Sequence, residues 1–372
     1  MSVEKQKQLE LDRKKNAIIE EAEKALVHML TFYASQAISN MWREAYSYAT
    51  QYYDKLNEIR IVTGISEEAA DRMGESYRKI AKEMSVSSSE VATAAVEFWR
   101  QGLSESDVND RTKDTTQYAK IAGLAFEEAA TLVTAATNSM SLSSQKVVDV
   151  FAYLGDASAA GADEVGKAMQ KASASAEEAG VSFEWLGAYI ATVSEKTRQA
   201  PEVIGTAFNS IMSRLQNIKA MGYNEEDATR INDVSKALNA VNIELTNQDG
   251  SWRDMSDIFM DIADKWDVLD DRARSYLATT MAGTRQKNVF LTLMNDMSKM
   301  SETTGEGSRA LELYYGALSS AGNATEKYTI YQESAAAAQA RFKAELEDMY
   351  ASLVNARAIN GFYDFMAGFV SS

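Results

Sequence analysis

Apolar side chains recur along the first stretch of the chain at Ala22, Leu26, Met29, Tyr33, Ala37, Met41, Ala45, Tyr48, Tyr52, Leu56 and Ile59. Their mean spacing of about 3.7 residues is the period of a helix, not of a strand. No glycine or proline interrupts the run, so the pattern predicts one long helix from Lys5 to Ile59. Leu26, Ala37, Tyr48 and Ile59 mark an 11-residue repeat. That repeat packs as straight or weakly right-handed helices, not as a left-handed coiled coil. Such a helix would measure on the order of 80 Å. Its first turns carry few apolar side chains and are expected to fray.

Beyond Ile61 the pattern shortens and a start signal recurs. Val86-Ser87 is followed by Val91, Leu103-Ser104 by Val108, Leu142-Ser143 by Val147 and Val181-Ser182 by Leu186. In each case a serine suited to an N-cap is flanked by a hydrophobic staple. Ser87 with Glu90 and Ser104 with Asp107 also fit a capping box. Weaker copies lie at Ile65-Ser66 and near Ala125 and Asp163, and the lone Pro201 suits the first turn of a further helix. The starts are about 17 to 21 residues apart, which predicts helices of about 15 residues with short links. Taken in pairs they give helical hairpins of about 39 residues, within the range of helical repeats. The stretch from Ala157 to Gly180 is rich in Ala, Ser and Gly. It buries little area per side chain and is the expected place for local melting or for contact with another copy.

The pattern breaks around Met221-Gly222-Tyr223-Asn224 and resumes with Ile231, Val234, Leu238 and Val241. A loop at Asn247-Gln248-Asp249-Gly250 leads to the most amphipathic stretch of the chain. Trp252, Met255, Phe259, Ile262, Trp266 and Leu269 share one face, with Asp254, Asp257, Asp261 and Asp264 opposite. The reading is a helix over Trp252–Leu269, started by a Ser251–Asp254 capping box. Gly283 then marks a break before Val289, Leu291, Leu293, Met294 and Met297. More helices follow, including the Ala-rich Ser334 to Ala340, and the chain closes on an apolar stretch from Gly361 to Phe369 interrupted by Asp364.

Composition sharpens this picture. A single proline and 19 glycines in 372 residues leave almost nothing to terminate strands or build tight turns. An all-β fold is excluded on that ground. The hydrophobic share of 45% excludes a wholly disordered chain. The expected class is all-α: a long N-terminal helix followed by an array of short helices and helical hairpins that can be drawn out lengthwise. Four regions follow from the breaks: the long, coiled-coil-like helix over 1–60, the hairpin array over 61–220, an amphipathic helical subdomain over 221–300 and C-terminal helices over 301–372.

The same counts restrict chemistry. The chain has no cysteine, so it has no disulfide, thiolate nucleophile or thiolate metal site. One histidine, His28, removes multi-histidine zinc sites and most histidine-based acid–base schemes. A net charge of −16 repels nucleic-acid phosphates, so stable nucleic-acid binding is not expected. There is no run of about 18 uncharged apolar residues that would cross a bilayer. The N-terminus is polar and lacks the apolar core of a secretory leader.

Individual candidates fare no better. Asn247-x-Asp249-Gly250 has the middle of a calcium loop, but Leu245 and Ser256 stand where the first and twelfth ligands belong. It reads as turn chemistry. The aspartate stripe opposite Trp266 reads as the solvated face of an amphipathic helix. His28, between Val27 and Met29, reads as a packed or surface residue of the long helix. No phosphate-binding glycine loop or nucleophile elbow occurs. No catalytic, cofactor-binding or metal-binding residue is therefore assigned, no cofactor is implied, and no enzyme is expected.

Several ordered segments carry a family likeness. They are Val62-Thr63-Gly64-Ile65-Ser66, Ile80-Ala81-Lys82-Glu83, Gly102-Leu103-Ser104, Gly180-Val181-Ser182 and Gln199-Ala200-Pro201-Glu202-Val203-Ile204-Gly205-Thr206-Ala207. A late block, Asp249-Gly250-Ser251-Trp252-Arg253, Trp266 and Met281-Ala282-Gly283-Thr284-Arg285-Gln286, completes the series. In this order they resemble the core region of phage tail tape measure proteins, over roughly residues 60 to 300. The resemblance implies a virion protein in several copies in the tail lumen, present in the host cytoplasm during assembly. It implies a protein that sets tube length and leaves at infection to help the genome across the envelope. Its implied partners are further copies of itself, the tail tube protein, tail assembly chaperones and the baseplate or tail tip, with membrane contact left open. The chain is shorter than usual for that family and lacks its hydrophobic segments and wall-degrading domains. A fragment or a short member is the expectation. The alternative is an acidic α-helical repeat scaffold that binds a protein partner on a concave surface.

Overall fold

The computed structural model describes residues 40–41, 43–220, 234–249, 251, 253–299 and 307–353. The stretch of the long helix before residue 40, His28, the break at 221–224 and the apolar stretch 361–369 lie outside the described residues. The chain is 81% helical, with fifteen helices and no strand among the described residues. We number them α1 (43–63), α2 (Glu67–Glu83), α3 (Ser88–Trp99), α4 (Glu105–Ala122), α5 (Phe126–Met140), α6 (Ser144–Ala157), α7 (Ala162–Ala179) and α8 (Phe183–Thr197). There follow α9 (Pro201–Ala220), α10 (234–239), α11 (Met255–Trp266), α12 (Asp271–Met297), α13 (Arg309–Leu318), α14 (Asn323–Gln332) and α15 (Ala335–Leu353).

The starts predicted from serine caps are present. Ser66, Ser104, Ser143 and Ser182 accept backbone N–H bonds from Ala69, Asp107, Lys146 and Trp185. The weaker copies also begin helices, with Ala125 and Gly161 at the N-cap positions. At α3 the cap works differently. Glu90 accepts from the Ser87 N–H at 2.9 Å, while the Ser87 hydroxyl turns away to donate to Glu347.

One regularity is hidden in the sequence. Six links between consecutive helices are built alike, each with a left-handed residue, then an apolar one, then the next N-cap. They are Gly64-Ile65-Ser66, Ser85-Val86-Ser87, Gly102-Leu103-Ser104, Gly123-Leu124-Ala125, Ser141-Leu142-Ser143 and Gly180-Val181-Ser182. In four of them the amide after the left-handed residue closes on a carbonyl of the last helical turn: Val86 on Ala81, Leu124 on Ala119, Leu142 on Thr137 and Val181 on Ala176. This is the Schellman closure, and it satisfies carbonyls that would otherwise be orphaned. The apolar residue of each link folds down onto the core. Serine at 85 and 141 holds a conformation usually left to glycine, which conceals the motif.

One contiguous core runs from Tyr52 in α1 to Tyr328 in α14. Through part of it runs a path of rings, Trp185, Tyr189, Phe259, Phe290 and Trp266, with neighbouring centroids 5.0–6.2 Å apart. Alanine fills much of the rest. Ala168, Ala172, Ala176 and Ala179 on α7 are fully buried, and α7 makes its closest packing with α9. The Ala/Ser/Gly-rich stretch is thus covered within the chain by α9. A small-residue face lets two backbones approach closely, and α9 uses it.

Two expectations need correction. The amphipathic helix starts at Met255, not Trp252, with Asp254 in the N-cap position. Ser251 lies in the preceding turn, where its N–H and hydroxyl both donate to Asp249. Asp249 competes successfully for the serine because it is only two residues away, the short-range bonding that favours turns. The hydrogen bonds Asn247 N–H to Ser251 carbonyl and Arg253 N–H to Leu245 carbonyl close that turn. The helix ends at Trp266, short of Leu269. Gly283 does mark the expected break, with φ 76° and ψ 165° inside α12.

Candidate functional site

The structure brings no set of reacting groups together at the positions weighed from sequence. Asp254, Asp257 and Asp264 are exposed, and Asp261 pairs with Arg253 at 2.7 Å. The Asn247–Asp249 segment is a turn closed on itself. No group of three or more His, Asp or Glu that could hold a metal occurs among the described residues. Among them, no helix is long and apolar enough to cross a membrane.

The polar chemistry lies instead at three buried carboxylates, each set against the first turn of another helix. Asp149 on α6 accepts the N–H of Gly322 at 3.0 Å and of Ala324 at 2.9 Å, at the start of α14. Asp296 on α12 accepts the N–H of Ala310 at 2.9 Å and the Ser308 hydroxyl at 3.1 Å, at the start of α13. Lys196 reaches the other oxygen of Asp296 at 2.9 Å. Glu347 on α15 accepts the Ser88 N–H and Ser87 hydroxyl at 2.7 Å and the Ser88 hydroxyl at 2.9 Å, at the start of α3. All three side chains are almost fully buried. A helix start offers unsatisfied N–H groups and the positive end of its dipole, which together offset the desolvation of a carboxylate. The arrangement fastens helices, each carboxylate accepting from two or three donors of the helix start it faces.

Sequence reasoning missed these three residues among 54 acids. A signal was there for two of them. Asp149 interrupts the apolar run Val147-Val148-Asp149-Val150-Phe151, and Asp296 stands between Met294 and Met297 on the buried face of α12. An acid on an apolar face needs a partner, and a helix start is the available one.

Salt bridges tie the same elements on the outside. Lys82 meets Asp348 at 2.6 Å and Glu345 at 3.1 Å, and Arg78 meets Asp348 at 3.3 Å. The Lys82 hydrogen bond holds the Asp348 carboxyl below its ordinary range. Lys327 meets Asp156 at 2.6 Å and Arg309 meets Glu195 at 3.4 Å. Between α1, α3 and α15 lies a cavity of about 310 Å³, lined by Glu44, Tyr48, Ser89, Lys343 and Glu347 among others.

A fourth carboxyl behaves differently. Asp114 on α4 accepts the Ser144 hydroxyl at 2.5 Å, and burial, helped by Asp110 and Asp149, pushes its pKa up to about 6. The folded state therefore holds a proton there between about pH 4 and 6 that the unfolded chain has lost. This group favours folding below about pH 4, and that contribution is lost as pH rises through 6. At about 1.4 kcal/mol per unit, the effect has an upper bound near 3 kcal/mol, which partial solvent screening lowers to about 1–2. Asp114→Asn is expected to stabilise the protein by that amount at pH 7.5 and to be indistinguishable from the parent at pH 4. Urea midpoints measured at both values check it.

The sequence places these elements among known proteins. No solved structure matches the chain. A family model described as phage-related minor tail protein matches residues 67–283, from the start of α2 to the break in α12. That span covers most of the hairpin array, all six regular links except the first, and the rings of Trp185, Tyr189, Phe259 and Trp266 on α8 and α11, with Phe290 just beyond it. Since more than half of the chain matches, and the described residues form packed helices, this protein belongs to the phage-related minor tail protein family and is a structural component of a phage tail.

Proposed function

We propose that this tail protein is a tape measure: the tail tube polymerises around several copies of it, and its reach sets the length of the tube. On this reading it lies in the tail lumen. Tail assembly chaperones and the baseplate or tail tip engage it during assembly, and it leaves the tube when the genome is ejected. The observation that carries the proposal is the construction of the family-matched segment. Its described part is built mainly of short helices, and five of the links between them, from Ser85 to Ser182, share one turn geometry, so it can lengthen by rotation at a few backbone positions. Drawn out fully as helix, 372 residues would reach on the order of 550 Å. Its alanine-rich helix faces bury little area per contact, which keeps the packed state within reach of opening.

Whole hairpins supply the test. Deleting α5 and α6 with their links removes a unit of about 39 residues, which as helix corresponds to roughly 60 Å. Tubes assembled from the tail tube protein in the presence of this chain are expected to shorten by that order in negative-stain images. Tubes of unchanged length would sink the proposal and return the reading to an acidic helical scaffold for a protein partner.

A further inference from the structure

Helices α13, α14 and α15 lie over the array without forming a unit of their own. α13 rests on α8 and α6, α14 on α6 and α4, and α15 on α2, while their contacts with one another are few. Each instead has one buried carboxylate at its start or face: Asp296 of α12, tied to α8 by Lys196, for α13, Asp149 of α6 for α14, and Glu347 of α15 itself, set on α3. A junction of this kind yields abruptly. A carboxylate displaced by a few ångströms loses all its donors together and regains water, whereas apolar contact fades gradually. The approach to α14 also carries an internal cost, because Ser320 Oγ in the link and Asn323 Oδ1 in the first turn are buried without hydrogen-bond partners. The outer sides of these helices contribute nothing to burial, with Tyr315, Ile330 and Phe342 each at least 60% exposed.

We propose that residues 307–353 form a clasp with three catches, Asp296, Asp149 and Glu347, which opens while α2–α9 stay folded. Opening uncovers the face on which the clasp lies, including the Trp185 ring now stacked on Tyr314 at 3.9 Å. The clasp thereby orders any loosening of the molecule, with the C-terminal helices first and the array later. It does not depend on the tape measure reading.

Hydrogen exchange of the full chain at pH 7, read by mass spectrometry, tests it. Amides of α13–α15 are expected to exchange on the order of a hundredfold faster than those of α7–α9, the signature of sub-global opening. Asp149→Asn keeps the shape of the side chain and removes its charge. It should speed exchange in α14 by on the order of tenfold and leave α7–α9 unchanged. Asp296→Asn should do the same for α13, and Glu347→Gln for α15. Equal protection of clasp and array in the unaltered protein would overturn the proposal, as would a variant that accelerates α7–α9 as much as its own helix. The comparison within the unaltered protein decides even where a variant fails to fold.

Discussion

Replacing Trp266 with alanine is expected to destabilise the protein by about 4 kcal/mol, toward the upper end of what a single core truncation costs. Trp266 is fully buried and ends the ring path, edge-on to Phe290 at 6.2 Å. Its indole N–H donates to Asn295 Oδ1 at 2.6 Å, and the Arg274 guanidinium sits 5.8 Å from the ring centre while bonding the Trp266 carbonyl. Truncation removes the apolar area, leaves a cavity and gives up the hydrogen bond to Asn295. Trp266→Phe keeps most of the area and loses only the hydrogen bond, so it should cost roughly 1–2 kcal/mol. Urea unfolding followed by far-ultraviolet circular dichroism measures both. If the alanine variant lost less than the phenylalanine variant, the ring path would not be part of the core that holds α11 to α12.

Trp266 also shows how far the sequence can be read. The period that places it with Phe259 and Ile262 on one face is a property of neighbours within a helix, and those three are buried as expected. Caps are equally local, which is why Ser66, Ser104, Ser143 and Ser182 are legible. The start of the same helix is not, because Ser251 has two acids within reach, and the nearer, Asp249, takes it. The left-handed residues of the links are invisible where serine replaces glycine. Farthest from view are Asp149, Asp296 and Glu347, whose helix-start partners lie 12 to 260 residues away along the chain. Such pairings depend on how helices stack, and stacking among many alanine-rich faces has no local signature. The candidate site of this protein therefore belongs to its tertiary structure, while its helices belong to its sequence.

The packing of α7 on α9 is of another kind, and Gly205→Ala exposes the difference. In an isolated helix that change is favourable by about 1 kcal/mol. Here the added methyl carbon would lie 2.3 Å from the Ala168 carbonyl oxygen and 2.9 Å from Lys171 Cβ. The first of these is backbone, already committed to the hydrogen-bond ladder of α7, and it cannot turn aside. Helix α9 must move outward, which loosens Ile204, Phe208, Ile211 and Met212, all fully buried. Overpacking of this sort costs roughly 1–3 kcal/mol and more where backbone is displaced, so a net loss of about 2–3 kcal/mol is expected despite the better propensity. Gly316→Ala supplies the contrast. The three atoms nearest its added methyl all belong to the Tyr153 hydroxyl and ring edge, a side chain that is half-buried and not backbone, so it can give way. It should therefore come out close to neutral in the same urea measurement. If Gly205→Ala were as stable as the parent, α7 and α9 would not be in backbone-close contact, and the alanine face of α7 would again be open to a second copy of the chain.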